Sequence, residues 1–432
     1  MKNTDKKLIS GILAGAMLLS FAGCGVTDKG DKKEKLQNDT KAKPAFDYDE
    51  VEDTAYDEDS YSEDYNKYAF NIMAVTASSG DADSNIMISP ASIMFAMDMA
   101  AAGANGDTLD QINGMFTEDG DSVEQQAFAS DMMNKINDSR DVKFSCANAI
   151  WNNSTLLGDA INLDYVDYVE DMFEAEIKTE EFGADTVDEI NEWVEDNTDG
   201  MIDQVVDTIE PTTAMILVNA IAFEGKWEEA YEDYQVNEGE FTTSTGKTQD
   251  VTFLSSTESV YFETDKAIGF MKYYEGCDYA FVAILPVDQT ISANEFIQDF
   301  TGDDYAEFID SRSYEYDVWT MLPEFEYDYD VEMTGIMQDL GVEDAFIEGG
   351  ADFSGITSST GLYISRVLHK THIELDRNGT KAAAATAVYM DAEMAMEPLP
   401  SVEVYCDRPF AYAIVDVDTM NPMFIGTVNC VE

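Results

Sequence analysis

The chain has 432 residues, of which 45% are hydrophobic and 11% aromatic, enough apolar material for a large packed core. Its 88 acidic residues against 24 basic ones leave a net charge of −64. That charge disfavours nucleic acid as a partner, because phosphate binding needs clustered Lys and Arg. The acidity either hydrates the surface in a general way or attracts basic protein partners over long range.

The N-terminus carries a leader. A basic start precedes the apolar stretch 8–21, and together they predict a secretory signal peptide over residues 1–23 rather than a membrane span. The residues Ala22, Gly23 and Cys24 resemble the lipobox of bacterial lipoproteins, although Phe21 stands where Leu is usual. This resemblance implies a lipid anchor on Cys24 at the outer face of a bacterial membrane. The alternative is an ordinary signal with a chance cysteine.

Residues 24–63 differ sharply in composition from the rest. A Lys-rich patch at 29–43 leads into an acidic run dotted with tyrosines at 46–65. Such a run repels itself and predicts an extended, disordered tether, with an acidic docking motif as the alternative. Residues 64–432 are interpreted as one body.

Within the body, helical and strand-like patterns alternate. The periodicity predicts helices at 89–102, 107–116 and 185–195. Runs of β-branched and aromatic residues predict strands at 214–223, 279–285, 402–405 and 410–415. Helices are commoner in the first half and strands in the second, which favours an α+β fold over a wound parallel sheet.

Residues for ordinary enzyme chemistry are scarce. The two histidines, His369 and His372, lie three apart in a strand-like stretch and are expected on opposite faces, so at most one serves a site. No phosphate-binding or dinucleotide fingerprint occurs, and the calcium-loop look-alike at 195–206 ends in Val206 instead of Glu, so a helix C-cap is expected there. No metal, cofactor or catalytic residue is predicted. The remaining cysteines, expected as small buried side chains, are Cys146, Cys277, Cys406 and Cys430.

Six segments occur in an order and spacing that resembles the serpin family. They are MISPASI at 87–93, AGANGDTLDQI at 102–112, INEWVEDNTDG at 190–200, LVNAIAFEGKW at 217–227, DAFIEGGADFSG at 344–355, and DRPF at 407–410 with FIGTV at 424–428. The resemblance covers about residues 64–428.

This resemblance implies a fold of three β-sheets with eight or nine helices and an exposed reactive loop at about 377–400. It also implies a polar "shutter" beneath the main sheet, formed by Ser89, Ser92, Asn219 and His369, and an aromatic "breach" residue, Trp227, where the loop enters. From the residues alone, Ser89 is equally well interpreted as the N-cap of the helix that follows.

Within the reactive loop, the part that the resemblance makes the bait for a protease lies between about Gly379 and Pro398. Its four consecutive alanines alone favour a helix, but the resemblance makes them the hinge that becomes a strand of the main sheet. Alternate residues then face inward. This inward set is small and uncharged, which implies an inhibitor: Thr380, Ala382, Ala384 and Thr386, following Gly379.

The family's spacing places the reactive bond at Glu393–Met394, with Ala392 and Ala395 as neighbours. Glu suits a basic specificity pocket, whereas Ala or Met suits elastase- or subtilisin-like proteases, which we favour. Arg377 and Glu324 stand where the family has an ion pair of opposite sense, and we expect a pair with swapped charges.

The expected function is therefore suicide inhibition of serine-type proteases by a monomer, with cationic host or community enzymes as candidate targets. Two other interpretations remain open at this point. One is a non-inhibitory serpin-fold binding protein, and the other is a lipoprotein whose acidic tether carries the function.

Overall fold

The computed structural model describes residues 36–52, 54–117, 121–157, 160–210, 212–380 and 399–431. These residues form ten α-helices: α1 (Glu58–Ser79), α2 (Pro90–Gly103), α3 (Gly106–Phe116), α4 (Ser122–Asp138), α5 (Ser154–Leu157), α6 (Leu163–Phe173), α7 (Ala184–Asn197), α8 (Ala293–Asp299), α9 (Gly302–Asp310) and α10 (Thr334–Asp339). None of the helices in this part of the chain is long and apolar enough to cross a membrane.

The same residues form eighteen strands. They are β1 (Gln37–Asn38), β2 (Ile86–Ile88), β3 (Val142–Asn153), β4 (Ala160–Ile161), β5 (Glu176–Glu180), β6 (Met215–Lys226), β7 (Val236–Thr242), β8 (Thr248–Glu258), β9 (Val260–Glu263), β10 (Ala267–Tyr273), β11 (Tyr279–Pro286), β12 (Asp317–Pro323), β13 (Phe325–Glu332), β14 (Ile364–Asp376), β15 (Gly379–Thr380), β16 (Ser401–Tyr405), β17 (Phe410–Asp416) and β18 (Pro422–Val428).

Three large sheets organise the body. The main sheet has the order β13-β14-β15-β6-β3-β5, the second sheet β2-β18-β17-β11-β10-β9, and the third sheet β16-β12-β8-β7. A two-stranded parallel pair, β1 with β4, lies apart from them. The expected α+β class with three sheets is confirmed, and the described residues add short helices beyond the expected eight or nine.

The main sheet is covered on both faces, which explains why its central strand β6 is an almost unbroken apolar run. On one face, Met215, Leu217 and Ile221 join the large core of the protein. On the other face, Ile216 and Val218 pack in a smaller cluster that includes Trp193 of α7. The predicted helices and strands of the body coincide with α2, α3, α7, β6, β11, β16 and β17 to within a few residues.

The predicted tether is wrong for residues 36–52 and 54–63, which make up most of its length. β1 pairs with β4, and Tyr48 stacks on Tyr168 with ring centroids 4.3 Å apart while its hydroxyl donates to the carbonyl of Ala102 over 2.7 Å. Helix α1 begins at Glu58, capped by the side chain of Asp57. The tyrosines of the acidic run are the physical reason, because their spacing is helical and places them on one buried face: Tyr61, Tyr65 and Tyr68.

The cysteines also differ from expectation. Of the four cysteines in the described residues, only Cys406 is buried, and the other three are partly exposed. The C-cap expected at 195–200 is found, since α7 ends at Asn197 and Gly200 adopts a positive φ of 73°.

The packed N-terminal segment predicts a loss of stability in Tyr48→Ala. Removing the ring deletes its stacking and its hydrogen bond, which we expect to lower the free energy of unfolding by about 2 kcal/mol. Denaturant-induced unfolding followed by circular dichroism measures the change. The matched control is Tyr234→Ala, because Tyr234 is 81% exposed and its loss should change stability by less than about 0.5 kcal/mol. Equal free energies of unfolding for the two variants would mean that the N-terminal segment does not stabilise the body.

Candidate functional site

The two central strands of the main sheet, β6 and β14, run parallel and are paired from Ile364↔Met215 to His372↔Ala222. We call this pairing the seam. At its upper end the chain turns back after β14, and the two residues of β15 lie between the strand ends. Gly379 and Thr380 pair antiparallel with β14 on one side and with β6 on the other. The loop segment has thus already started a strand within the sheet.

Gly379 fits this position for a steric reason. Its φ is 152°, and a Cβ added there would lie 2.0 Å from the carbonyl oxygen of Gly225. Thr380 is 1% exposed and its hydroxyl shares a 2.7 Å hydrogen bond with the hydroxyl of Tyr274. The expected inward orientation of Thr380 therefore agrees with its burial. The other hinge positions, Ala382, Ala384 and Thr386, lie outside the described residues.

A buried polar cluster crosses the seam. His369 on β14 and Asn219 on β6 are direct partners in the register, and Nδ1 of His369 lies 2.8 Å from Oδ1 of Asn219. On the other side of the ring, the backbone N–H of Ser89 donates to Nε2 over 3.1 Å. Because Nε2 accepts, Nδ1 carries the proton and donates to Asn219. The imidazole is fully satisfied in its neutral form.

Asn219 is the centre of this cluster. Its oxygen also accepts from the Ser92 hydroxyl at 2.6 Å, and its amide group donates to the Ser92 carbonyl at 2.7 Å and to Oδ1 of Asn148 at 2.8 Å. The structure thus brings the four expected shutter residues together. Ser89 is also the N-cap of α2, since its side chain accepts from the Ser92 amide, so both interpretations of this residue hold.

Asn148 on β3 was not foreseen as a member of this cluster. The signal is a polar side chain inside the apolar run 147–151, where a buried amide requires partners. The amide of Asn148 also donates to the carbonyl of Phe173 at 3.2 Å. Strands β3, β6 and β14 are therefore linked to one another, and to α2, beneath the sheet.

At the end where the chain enters the sheet, aromatic rings surround a buried cation. Trp227 stacks on Tyr274 with centroids 4.6 Å apart, and its indole N–H donates to the carbonyl of Asp376 at 3.0 Å. The ammonium of Lys272 lies 5.6 Å from the Trp227 ring centre and 4.5 Å from that of Tyr231, and it pairs with Glu258 at 3.0 Å. Trp227 occupies the expected position, whereas the Lys272 cage was not predicted.

The expected ion pair between the side chains of Arg377 and Glu324 does not form. Glu324 does contact Arg377, but its carboxylate accepts from the backbone N–H at 3.2 Å. The guanidinium instead pairs with Asp233 at 2.8 Å. Arg377 lies in the turn after β14, where the main chain faces Glu324 and the long side chain extends to solvent. Burial raises the pKa of Glu324, and the Arg377 amide opposes that rise.

The outer face of the seam is held by the segment that follows α7. Arg366 donates to the carbonyl of Thr208 at 3.0 Å, and Lys370 donates to the carbonyl of Gln204 at 2.8 Å. Both donors belong to β14, so this segment must release them if β14 moves away from β6. These contacts were not predicted, because nothing local in the sequence reveals which strand a loop carbonyl will meet.

The reactive-bond residues Ala392, Glu393, Met394 and Ala395, and the lipidation candidate Cys24, lie outside the described residues.

The neutral His369 predicts a pH dependence of stability. Burial lowers the pKa of His369 to about 3, whereas the unfolded histidine has a pKa of about 6.5. The unfolded chain therefore binds the extra proton between these values, and stability is lost as the pH falls below about 6.5. At pH 5.5 this loss amounts to about 1.4 kcal/mol. The free energy of unfolding should be lower at pH 5.5 than at pH 7.5. This decrease should be smaller by about that amount in His369→Gln than in the wild type.

The control for this measurement is His372→Gln, which replaces the other histidine of the chain. It should retain the acid-induced drop attributed to His369. A wild-type drop that persists unchanged in His369→Gln would contradict the assignment.

Comparison with known proteins agrees with this geometry. The family model "Serpin (serine protease inhibitor)" matches residues 63–431. A serpin-like protein of Methanosarcina mazei is 31% identical over 85% of this chain and 86% of its own length. The thermophilic serpin tengpin in its native state is 38% identical, with a TM-score of 0.79 over 88% of this chain and 96% of that one.

The fold is also that of human thyroxine-binding globulin, crystallised with thyroxine, at 23% identity and a TM-score of 0.75 over 87% of this chain and 99% of that one. The serpin family is one of protease inhibitors in general rather than of enzymes. The match along almost the whole body, together with the seam and its hinge, establishes that this chain belongs to the serpin family.

Proposed function

We propose that this protein is an inhibitory serpin, a suicide substrate that traps serine-type endopeptidases as acyl-enzymes by inserting its cleaved loop into the main sheet. The position of strand β15 supports this proposal most strongly. Gly379 and Thr380 already pair with both β14 and β6, so further insertion would extend a strand that has begun between them.

The energetics favour continued insertion once the loop is cut. Opening the seam breaks one parallel ladder between β6 and β14, and an inserted strand creates two antiparallel ladders in its place. A strand of about a dozen residues gains on the order of ten kcal/mol from its two edges, at about 1 kcal/mol per hydrogen bond. An uncut loop is tethered at both ends, so cleavage of the reactive bond releases this gain.

In the proposed reaction, the protease nucleophile attacks the reactive bond and forms the acyl-enzyme. Insertion then carries the attached protease across the molecule and distorts its active site before water can complete hydrolysis. The small side chains of the inward hinge positions support this proposal, because none of them would obstruct entry beneath the sheet. Lys381 falls on the outward set, where its charge stays in water.

The proposed bait is Glu393–Met394 or a neighbouring bond. Ala392, Met394 and Ala395 offer small or apolar side chains, which suit the pockets of elastase- and subtilisin-like proteases. The protein is proposed to act as a monomer anchored through a lipid on Cys24 at the outer face of a bacterial membrane. The lipobox-like residues 22–24 support this localisation.

Substitution at the hinge tests trapping against simple cleavage. Ala384→Arg places a long cation on the inward set, which should stall insertion and let water finish hydrolysis. We expect the variant to become a substrate, with the covalent complex lost by at least about tenfold on a denaturing gel. The matched control is Ala383→Arg, which puts the same cation on the outward set and should still trap the protease.

The measurement uses a panel of elastase- and subtilisin-like proteases, and mass spectrometry of the released C-terminal fragment identifies the cut bond. If wild type and both variants are cleaved without any covalent complex, the protein is not an inhibitor of these enzymes and a binding role is favoured.

The net charge of −64 predicts that the capture of cationic proteases depends on salt. Long-range attraction is screened beyond about 10 Å at 0.1 M ionic strength, so the association rate with a cationic elastase should fall by about tenfold or more between low and physiological salt. Stopped-flow or competition kinetics measure it. An uncharged protease serves as control, and a flat response to salt with both enzymes would remove charge steering from the account.

A further inference from the structure

The outward face of β13 and β14 carries a compact group of side chains of the types that can bind metal ions. The two strands are antiparallel, and the register places Glu326 directly opposite Glu374 and Asp328 directly opposite His372. One potential ligand atom from each of Glu326, His372 and Glu374 lies within 4.8 Å of the others. Three donors that come together from two strands form a candidate site that spacing along the chain does not reveal.

The histidine is already oriented for coordination. Nδ1 of His372 lies 2.8 Å from Oδ1 of Asp328, while Nε2 has no hydrogen-bond partner among the described residues. A metal-bound histidine commonly donates its second ring N–H to a carboxylate, which fixes the ring and strengthens the ligand. Asp328 is in the position to do this for His372. This arrangement distinguishes the group from the scattered surface acids of a highly acidic protein.

We propose that Glu326, His372 and Glu374 bind a divalent transition metal ion, with zinc as the best fit and Asp328 as the residue that orients His372. The imidazole nitrogen selects zinc and related ions over calcium and magnesium, which prefer oxygen ligands alone. A tetrahedral ion about 2.1 Å from each ligand needs ligand atoms about 3.4 Å apart. Small side-chain rotations on this outer face close the difference from 4.8 Å, and water would complete the coordination.

The site would join β13, the edge strand of the main sheet, to β14 next to the turn where the chain enters the sheet. It does not cross the seam, since β6 contributes no ligand to it. The metal would therefore strengthen the outer pair of strands as a unit and leave the opening between β6 and β14 unobstructed. The expectation of no metal site rests on residue spacing along the chain, which does not show pairs of side chains across strands.

Calorimetric titration of the full chain with zinc chloride tests the proposal. We expect one saturable high-affinity site that excess calcium does not displace. His372→Gln and Glu374→Gln should abolish that site, and Asp328→Asn should weaken it by about 10- to 100-fold. Glu403→Gln, which removes an exposed acid on the third sheet, is the matched control and should bind zinc as the wild type does. Circular dichroism without metal verifies that each variant is folded.

Histidine resonances in NMR spectra provide a second readout, because the chain has only two histidines. Zinc should shift the ring signals of His372 and leave those of His369, which is fully buried beneath the sheet, in place. Equal zinc binding by wild type and His372→Gln, or only weak multiple binding that calcium displaces, would overturn the proposal. Those outcomes would show that the acidic surface binds cations without a built site, and they would leave the proposed inhibition untouched.

Discussion

The parallel pairing of β6 with β14 holds together the centre of the main sheet. An antiparallel strand can insert between two strands that run in the same direction. The two residues of β15 already occupy the start of that position. The cluster around Asn219 and the segment after α7 hold the seam closed, and Trp227 and Tyr274 lie beside the chain that enters it. In the proposed mechanism, the closed sheet persists until the loop is released and then gains a better-paired arrangement.

The buried cluster around Asn219 shows how a sheet can be closed without being locked. Its hydrogen bonds link β3, β6, β14 and α2, and every donor of the Asn219 amide has a partner. Leaving one such buried group unpaired costs about 1–3 kcal/mol, so the closed register is specific. Only the bond from His369 to Asn219 crosses the seam within this cluster, so the strands can part while Ser92 keeps Asn219 and Ser89 keeps His369. An apolar cluster of the same size would not leave each strand with its own hydrogen-bond partner after the strands part.

Much of the body could be predicted from local patterns. The helix α2 and the strand β6 coincide with their predicted ranges because apolar periodicity and the Ser89 cap act within a few residues. The four shutter residues followed from the family resemblance, not from periodicity. What failed depended on contacts between distant segments. The charge of the acidic run before residue 63 predicts a tether, whereas in the structure the tyrosines of this run contact α2, α4 and α6.

The contact between Arg377 and Glu324 illustrates the same limit at the scale of one side chain. The sequence predicts that the two residues lie close together, and they do, but their side chains form no ion pair. The turn at Arg377 directs its backbone N–H to Glu324, while the guanidinium pairs with Asp233. The group of Glu326, His372 and Glu374 was missed for a related reason. Antiparallel register, which no local pattern fixes, decides which side chains face each other.

A disulfide across the seam tests directly whether the main sheet opens between β6 and β14. Ala220 and Lys370 are paired neighbours on β6 and β14, so Ala220→Cys with Lys370→Cys places two thiols within bridging reach. Complex formation with a sensitive elastase-like protease would be measured on a denaturing gel before and after reduction. If the sheet must open between β6 and β14, the oxidised form should be cleaved without a covalent complex, and the reduced form should again trap the protease. Equal trapping by the oxidised protein would contradict the opening of the sheet between β6 and β14.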